Sequence, residues 1–304
     1  MTKKLFALFT SLALVVALAA CGAPAQERQS IAETAAELGD FDTLLVAYDL
    51  DGLFADDEAG PFTVFAPTDT AFATFLGGMK QLEANGDAID VVLETLLYHV
   101  LEGAQSPVAL VNAGAVPTLQ GLPLCFEADG SSFAVNGDTV AAGPIQATNG
   151  TIYAVSTVLN PFDSIAGLAA FAGFDTLVAA VVAADLVTPL VCGGPFTVFA
   201  PTEQAFADLL AELDVTAEEL LANTELLTQV LLYHVVAGEL DFAAVEAALI
   251  DGDGTVVLPT LQGGSITVTL EEGGVFINGD SQVILTDFFA RNGVVHVIDA
   301  VLLP

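Results

Sequence analysis

Six segments of this chain occur twice, in the same order. "FDTLLVA" at Phe41 returns as "FDTLVAA" at Phe174, "GPFTVFAPTDTAF" at Gly60 as "GPFTVFAPTEQAF" at Gly194, and "LLYHVLEG" at Leu96 as "LLYHVVAG" at Leu231. "PTLQG" recurs at Pro117 and Pro259, "VNGD" at Val135 becomes "INGD" at Ile277, and "NGTIYAVSTVLNP" at Asn149 becomes "NGVVHVIDAVLLP" at Asn292. The offset grows from about 133 to 143 residues, so the second copy carries small insertions, mainly after "YHV". Solenoid repeats have periods of roughly 20–50 residues. A period this long therefore means two tandem globular domains, each large enough to bury its own core. The boundary falls near Asn160-Pro161 with no Gly/Ser-rich linker after it, which predicts domains at 30–161 and 162–304 packed against each other.

Within one copy, "PFTVFAP" is a short β-rich run ended by proline. Thr68 or Thr202 then stands where a helix N-cap belongs, followed by Asp69 or Glu203, whose charge favours a first turn. "VVLETLLYHV" and "LLTQVLLYHVV" are apolar on more than one face, which predicts a largely buried helix ending in Tyr-His. The remainder alternates apolar and polar residues between Gly-rich turns and reads as hairpins. Each copy is thus an α+β module, helices first and strands after, with an antiparallel sheet.

The first 29 residues do not belong to this pattern. Lys3 and Lys4, the apolar run Leu5 to Leu18, and Leu18-Ala19-Ala20-Cys21 predict a signal peptide over 1–20. "LAAC" resembles the lipobox of bacterial lipoproteins, which implies a diacylglycerol on Cys21 and a short polar tether over 21–29. The expected location is outside the cytoplasm, on a membrane surface facing the periplasm or the cell exterior, held there by the lipid alone. The two other cysteines, Cys125 and Cys192, fall in different copies. In an oxidising compartment they can form an interdomain disulfide, or remain two buried thiols.

"TVFAPTDTAF", "LLYHV" and "NGVVHVIDAVLLP", in this order and spacing, resemble the fasciclin domain. The resemblance covers residues 30 to 304 in two copies. It implies a β-sheet wedge with helices packed against it, in secreted or surface-anchored proteins that mediate adhesion, and no common catalytic activity. The first copy departs from the closing motif, with Tyr153 and Ser156 where the second has His296 and Asp299.

Charge limits the partners. There are 39 acidic and 5 basic residues, a net charge of -34, which becomes -36 once Lys3 and Lys4 leave with the leader. Such a surface repels phosphate backbones and anionic headgroups, so nucleic acid and polybasic membrane docking are excluded. No HExxH, GxSxG, P-loop or dinucleotide fingerprint is present, and no metal or cofactor is expected. "DGDG" at Asp251 lacks the later ligands of a calcium loop and reads as a turn. The candidate partner-binding residues are Tyr98, His99, Tyr233, His234 and His296, and replacing His234 with Ala is expected to weaken partner binding without unfolding. Two functions follow: an anchored adhesion or interaction protein contacting a protein or extracellular polymer, or a binding module for an apolar small molecule, a pigment or lipid, suggested by 20 Phe among many aliphatics.

Overall fold

The computed structural model describes residues 29–42, 44–45, 60–79, 88–130, 132–271 and 274–304. The leader, Cys21 and all of the tether except Gln29 lie outside the described residues.

In the first domain, Ser30 caps α1 (Ile31–Leu38) and forms a reciprocal capping box with Glu33, the pairing that satisfies two free amides at once. The chain continues through β1 (Phe62–Pro67), α2 (Asp69–Met79), α3 (Ala88–Leu97), β2 (Val100–Glu102) and α4 (Pro107–Ala113). Six strands close the domain: β3 (Ala115–Pro117), β4 (Pro123–Asp129), β5 (Ser132–Val135), β6 (Asp138–Thr139), β7 (Ala142–Ala147) and β8 (Gly150–Val155).

A turn of 3₁₀ helix, Pro161–Asp163, leads into the second domain. Its helices are α5 (Ile165–Phe171), α6 (Asp175–Ala183), α7 (Val187–Cys192), α8 (Glu203–Leu213), α9 (Ala217–Ala222), α10 (Thr224–Tyr233) and α11 (Phe242–Asp251). Its strands are β9 (Phe196–Pro201), β10 (Val235–Ala237), β11 (Thr255–Pro259), β12 (Ser265–Glu271), β13 (Gly274–Ile277), β14 (Ser281–Ala290) and β15 (Gly293–Ile298). The insertion after "YHV" is visible as α11, longer than its counterpart α4. Thr202 caps α8 through the Ala205 amide, and Thr68 takes the Ala71 amide in the same way.

The sheets are mixed, not purely antiparallel as the alternation suggested. In the first domain the order is β2-β1-β8-β7, beside a second sheet β3-β4-β5-β6; in the second domain one sheet runs β10-β9-β15-β14-β13-β12-β11. At the centre of each, the "TVFAP" strand and the closing strand run parallel: Phe62 to Pro67 against Gly150 to Val155, and Phe196 to Pro201 against Gly293 to Ile298. Parallel strands covered on both faces are continuously apolar. Val64 and Ala66 of β1 face one core cluster with Ile152 and Ala154, while Phe65 faces another with Tyr153 and Val155. The same division holds in the second domain, where Val198, Ala200 and Val295 face the helices and Phe199 and Ile298 the far side.

The "NG" that opens the closing motif serves this pairing. A Cβ on Gly293 would stand 1.9 Å from the Phe196 carbonyl oxygen, and one on Gly150 2.1 Å from that of Phe62. Only glycine lets the parallel strands approach this closely. The preceding asparagines tie the sheet to the first helix of each domain: Asn149 Oδ1 accepts from the Ile31 amide and Asn292 Oδ1 from the Ile165 amide, both at 2.9 Å.

Cys125 on β4 and Cys192 at the end of α7 are joined by a disulfide, with S–S 2.05 Å and Cα–Cα 5.5 Å. It links the two domains across a sequence separation of 67. Nearby, Arg291 pairs with Asp163 at 3.5 Å and donates to the Val191 carbonyl at 3.1 Å, fixing the connection to the second domain.

Candidate functional site

The Tyr-His pairs lie at the ends of α3 and α10, each between a helix and the start of an edge strand. In the first domain Tyr98 donates to the Pro123 carbonyl at 3.0 Å and accepts from Asn136 Nδ2 at 3.0 Å. Asn136 Oδ1 accepts from the Cys125 amide at 3.0 Å. In the second, Tyr233 donates to the Ser265 carbonyl at 3.0 Å and accepts from Asn278 Nδ2 at 3.1 Å, while Asn278 Oδ1 takes the Thr267 amide at 2.9 Å. Both asparagines are left-handed, with φ of 51° and 54°, a conformation asparagine tolerates better than most residues. Two repeated motifs far apart in sequence, "YHV" and "NGD", are therefore one hydrogen-bonded unit.

The neighbouring histidines close the other side. His99 Nδ1 donates to the Thr95 carbonyl at 2.6 Å, and its Nε2 accepts from the Leu159 amide at 2.9 Å. His234 repeats this with the Val230 carbonyl at 2.7 Å and the Leu302 amide at 2.9 Å. A carbonyl can only accept and an amide N–H only donate, so both rings are neutral with the proton on Nδ1. Each histidine thereby pins the chain's exit from its closing strand to the helix.

His296 sits on β15. Its Nε2 donates to the Leu240 carbonyl at 2.8 Å and its Nδ1 accepts from the Asp287 amide at 3.3 Å. Tyr153, its counterpart in the first domain, donates to the Gln105 carbonyl at 2.9 Å, the position equivalent to Leu240. The divergence of the closing motif therefore preserves one anchor with a different side chain. Tyr98, His99, Tyr233, His234 and His296 are all buried, none more than 7% exposed. This geometry gives all five a structural role, because their polar atoms bond within the chain.

Burial holds His99 and His234 down at about 4, from an ordinary 6.5, with desolvation of the charged ring as the main cause. Between these values the unfolded chain binds protons that the folded chain refuses. This contribution to stability is complete above about 6.5 and drains away as the pH falls towards 4. The Asp163 carboxyl, pushed up chiefly by burial, works the other way. Denaturant midpoints measured from pH 7 down to pH 5 are expected to show a loss of about 2 kcal/mol per histidine; a flat profile would remove the neutral-histidine assignment.

Among the described residues no group of three or more His, Cys, Asp or Glu is placed to hold a metal ion, and no helix is long and apolar enough to cross a membrane. "DGDG" forms the turn after α11, with Asp253 at φ 52° and Gly254 at 86°. The surface holds what motif reasoning passed over. On β14, Ile284, Leu285, Phe288 and Phe289 are exposed, Phe289 by 60%. Bulges between Val283 and Leu285 and between Leu285 and Phe288 break the strand's alternation. The only sequence signal is the run "VILTDFF", apolar at positions of both parities.

Fold and interior bonding define a tandem scaffold of two like α+β modules. The chain belongs to the fasciclin-domain family: the Fasciclin domain model matches residues 36–161 and again 172–304. Among its relatives, "Protein sll1483" of Synechocystis sp. is 40% identical over 177 residues, covering 57% of this chain and 92% of that protein. The transforming growth factor-beta-induced protein ig-h3 of Sus scrofa is 29% identical over 252 residues, 81% of this chain but 35% of the relative. A solved FAS1 domain pair from the insect cell adhesion molecule Fasciclin I aligns over 90% of this chain and 96% of its own, with 18% identity and a TM-score of 0.43. Fasciclin domains serve generally in cell adhesion and extracellular interactions and are generally non-enzymatic.

Proposed function

We propose that this is an exported interaction protein, held to a membrane by a lipid on Cys21, that contacts another protein or an extracellular polymer through its second domain. The observation that carries this reading is the set of exposed apolar residues on β14. Ile284, Leu285, Phe288 and Phe289, two of them aromatic, are exposed close together on one strand of a strongly acidic protein. Contiguous exposed apolar side chains mark interaction surfaces, and aromatic residues dominate binding energy when a partner covers them. In the first domain the equivalent strand, β7, reads "AGPIQA" and exposes no large apolar side chain. The family's general role in adhesion and extracellular interaction agrees with this assignment. So does the disulfide, a bond that persists in oxidising compartments.

Phe289→Asp in the full chain is expected to lower retention of cells or matrix on a protein-coated surface by more than about tenfold, as loss of a central aromatic contact costs about 2 kcal/mol or more. Its thermal midpoint should stay within a few degrees of the parent. Undiminished retention by a folded variant would move the interface away from β14.

A further inference from the structure

The first two helices of the second domain carry small side chains where they cross the sheet. Ala166 and Ala169 on α5 and Val178 on α6 leave space that bulkier residues would fill, and that space opens into a cavity of about 720 Å³. Small-molecule sites span roughly 300–1,000 Å³. The corresponding positions of the first domain, among them Ala32, Ala35 and Leu45, line a void of only about 10 Å³. One wall of the large cavity is the first domain's own chain, including Ala115, Leu122 and Pro123, and another is Pro189 and Leu190 of α7.

The lining contains no Asp, Glu, Lys or Arg, in a chain with 39 acidic residues. His234 borders the cavity, but both its ring nitrogens are engaged inside the domain. Gln120 is turned back onto the Leu122 amide at 3.1 Å. A carboxylate or phosphate would find no cation here, and the surrounding charge opposes anions. An apolar lining of this kind favours apolar guests, which gain by leaving water.

We propose that this cavity binds an uncharged apolar small molecule of the neutral-lipid or hydrocarbon class, and that the interdomain disulfide holds its two walls in place. Cys125 follows the lining residue Pro123 by two positions, and Cys192 follows Leu190 by two. The site exists only in the paired domains. None of the exposed β14 residues lines it, so either site can fail without the other.

The test uses the full chain and a neutral dye, N-phenylnaphthylamine, followed by fluorescence. The expected result is saturable enhancement at one dye per chain. Ala166→Phe, which fills the space, should weaken binding by at least about tenfold, as should the milder Ala169→Leu should the first variant fail to fold. Phe289→Asp should leave dye binding unchanged, because that residue lies outside the cavity. A long-chain alcohol should displace the dye, and the fatty-acid anion of equal length should not. Replacing both Cys125 and Cys192 with Ser should weaken binding about tenfold. Non-saturating fluorescence, or equal affinity in the parent and a folded cavity-filling variant, would overturn the site. Equal displacement by acid and alcohol would overturn the ligand class, and unchanged affinity in the Cys-free variant would overturn the role of the disulfide.

Discussion

His234→Ala is expected to destabilise the second domain by about 4 kcal/mol. The substitution removes a ring that is 3% exposed and strands the Val230 carbonyl and the Leu302 amide, each bonded to that ring at 2.7 and 2.9 Å. A buried polar group left without a partner costs about 1–3 kcal/mol, and the missing ring adds a cavity. The loss should be read from the denaturant midpoint of the second transition, with the first domain's transition as an internal reference. His99→Ala should exchange the two responses, through Thr95 and Leu159. A change below about 1 kcal/mol in either would show that the histidine is not the pin described above. This outcome differs from the expectation raised by the sequence, that the fold would survive and only binding would suffer. The side chain's partners lie in the backbone of its own domain.

Replacing both Cys125 and Cys192 with Ser is expected to cost about 4 kcal/mol. The disulfide closes a loop across a sequence separation of 67, and in the chain-entropy model a loop of that length withholds about 4 kcal/mol of disorder from the unfolded state. The effect should appear as a lower midpoint in denaturant and as a wider separation between the transitions of the two domains, which the bond otherwise couples. Near-identical midpoints with and without the bond would mean that the interface and the Arg291–Asp163 connection suffice to hold the pair.

The duplication made the two fasciclin segments legible, because every repeated segment keeps its order. Both threonine caps were legible too, since capping is local. The parallel pairing at the sheet centre was not. "TVFAP" and "GVVHV" are each predominantly apolar at positions of both parities, which reports burial on both faces and says nothing about direction. Strand direction is set by a return of the chain more than 80 residues later. The Tyr-His motif was visible as a repeated pair at a helix end. Its bonds to Asn136 and Asn278 were not, because "NGD" reads locally as a turn and its asparagine's second role depends on where the helix lands. The exposed β14 residues escaped for the opposite reason: an apolar run is ordinarily read as core, and here Ile284, Leu285, Phe288 and Phe289 are left exposed. Ala166 and Ala169 lie in the alanine-rich stretch "IAGLAAFAG", and a sequence shows small residues without showing the space beside them.

The disulfide also alters what a protease can accomplish. Cleavage anywhere between Cys125 and Cys192, including at the connection near Pro161, would leave both fragments covalently joined, and only reduction would part them. A nicked molecule in an oxidising environment would therefore migrate intact until exposed to thiol, and its N-terminal half would not shed the domain that bears the exposed β14 residues.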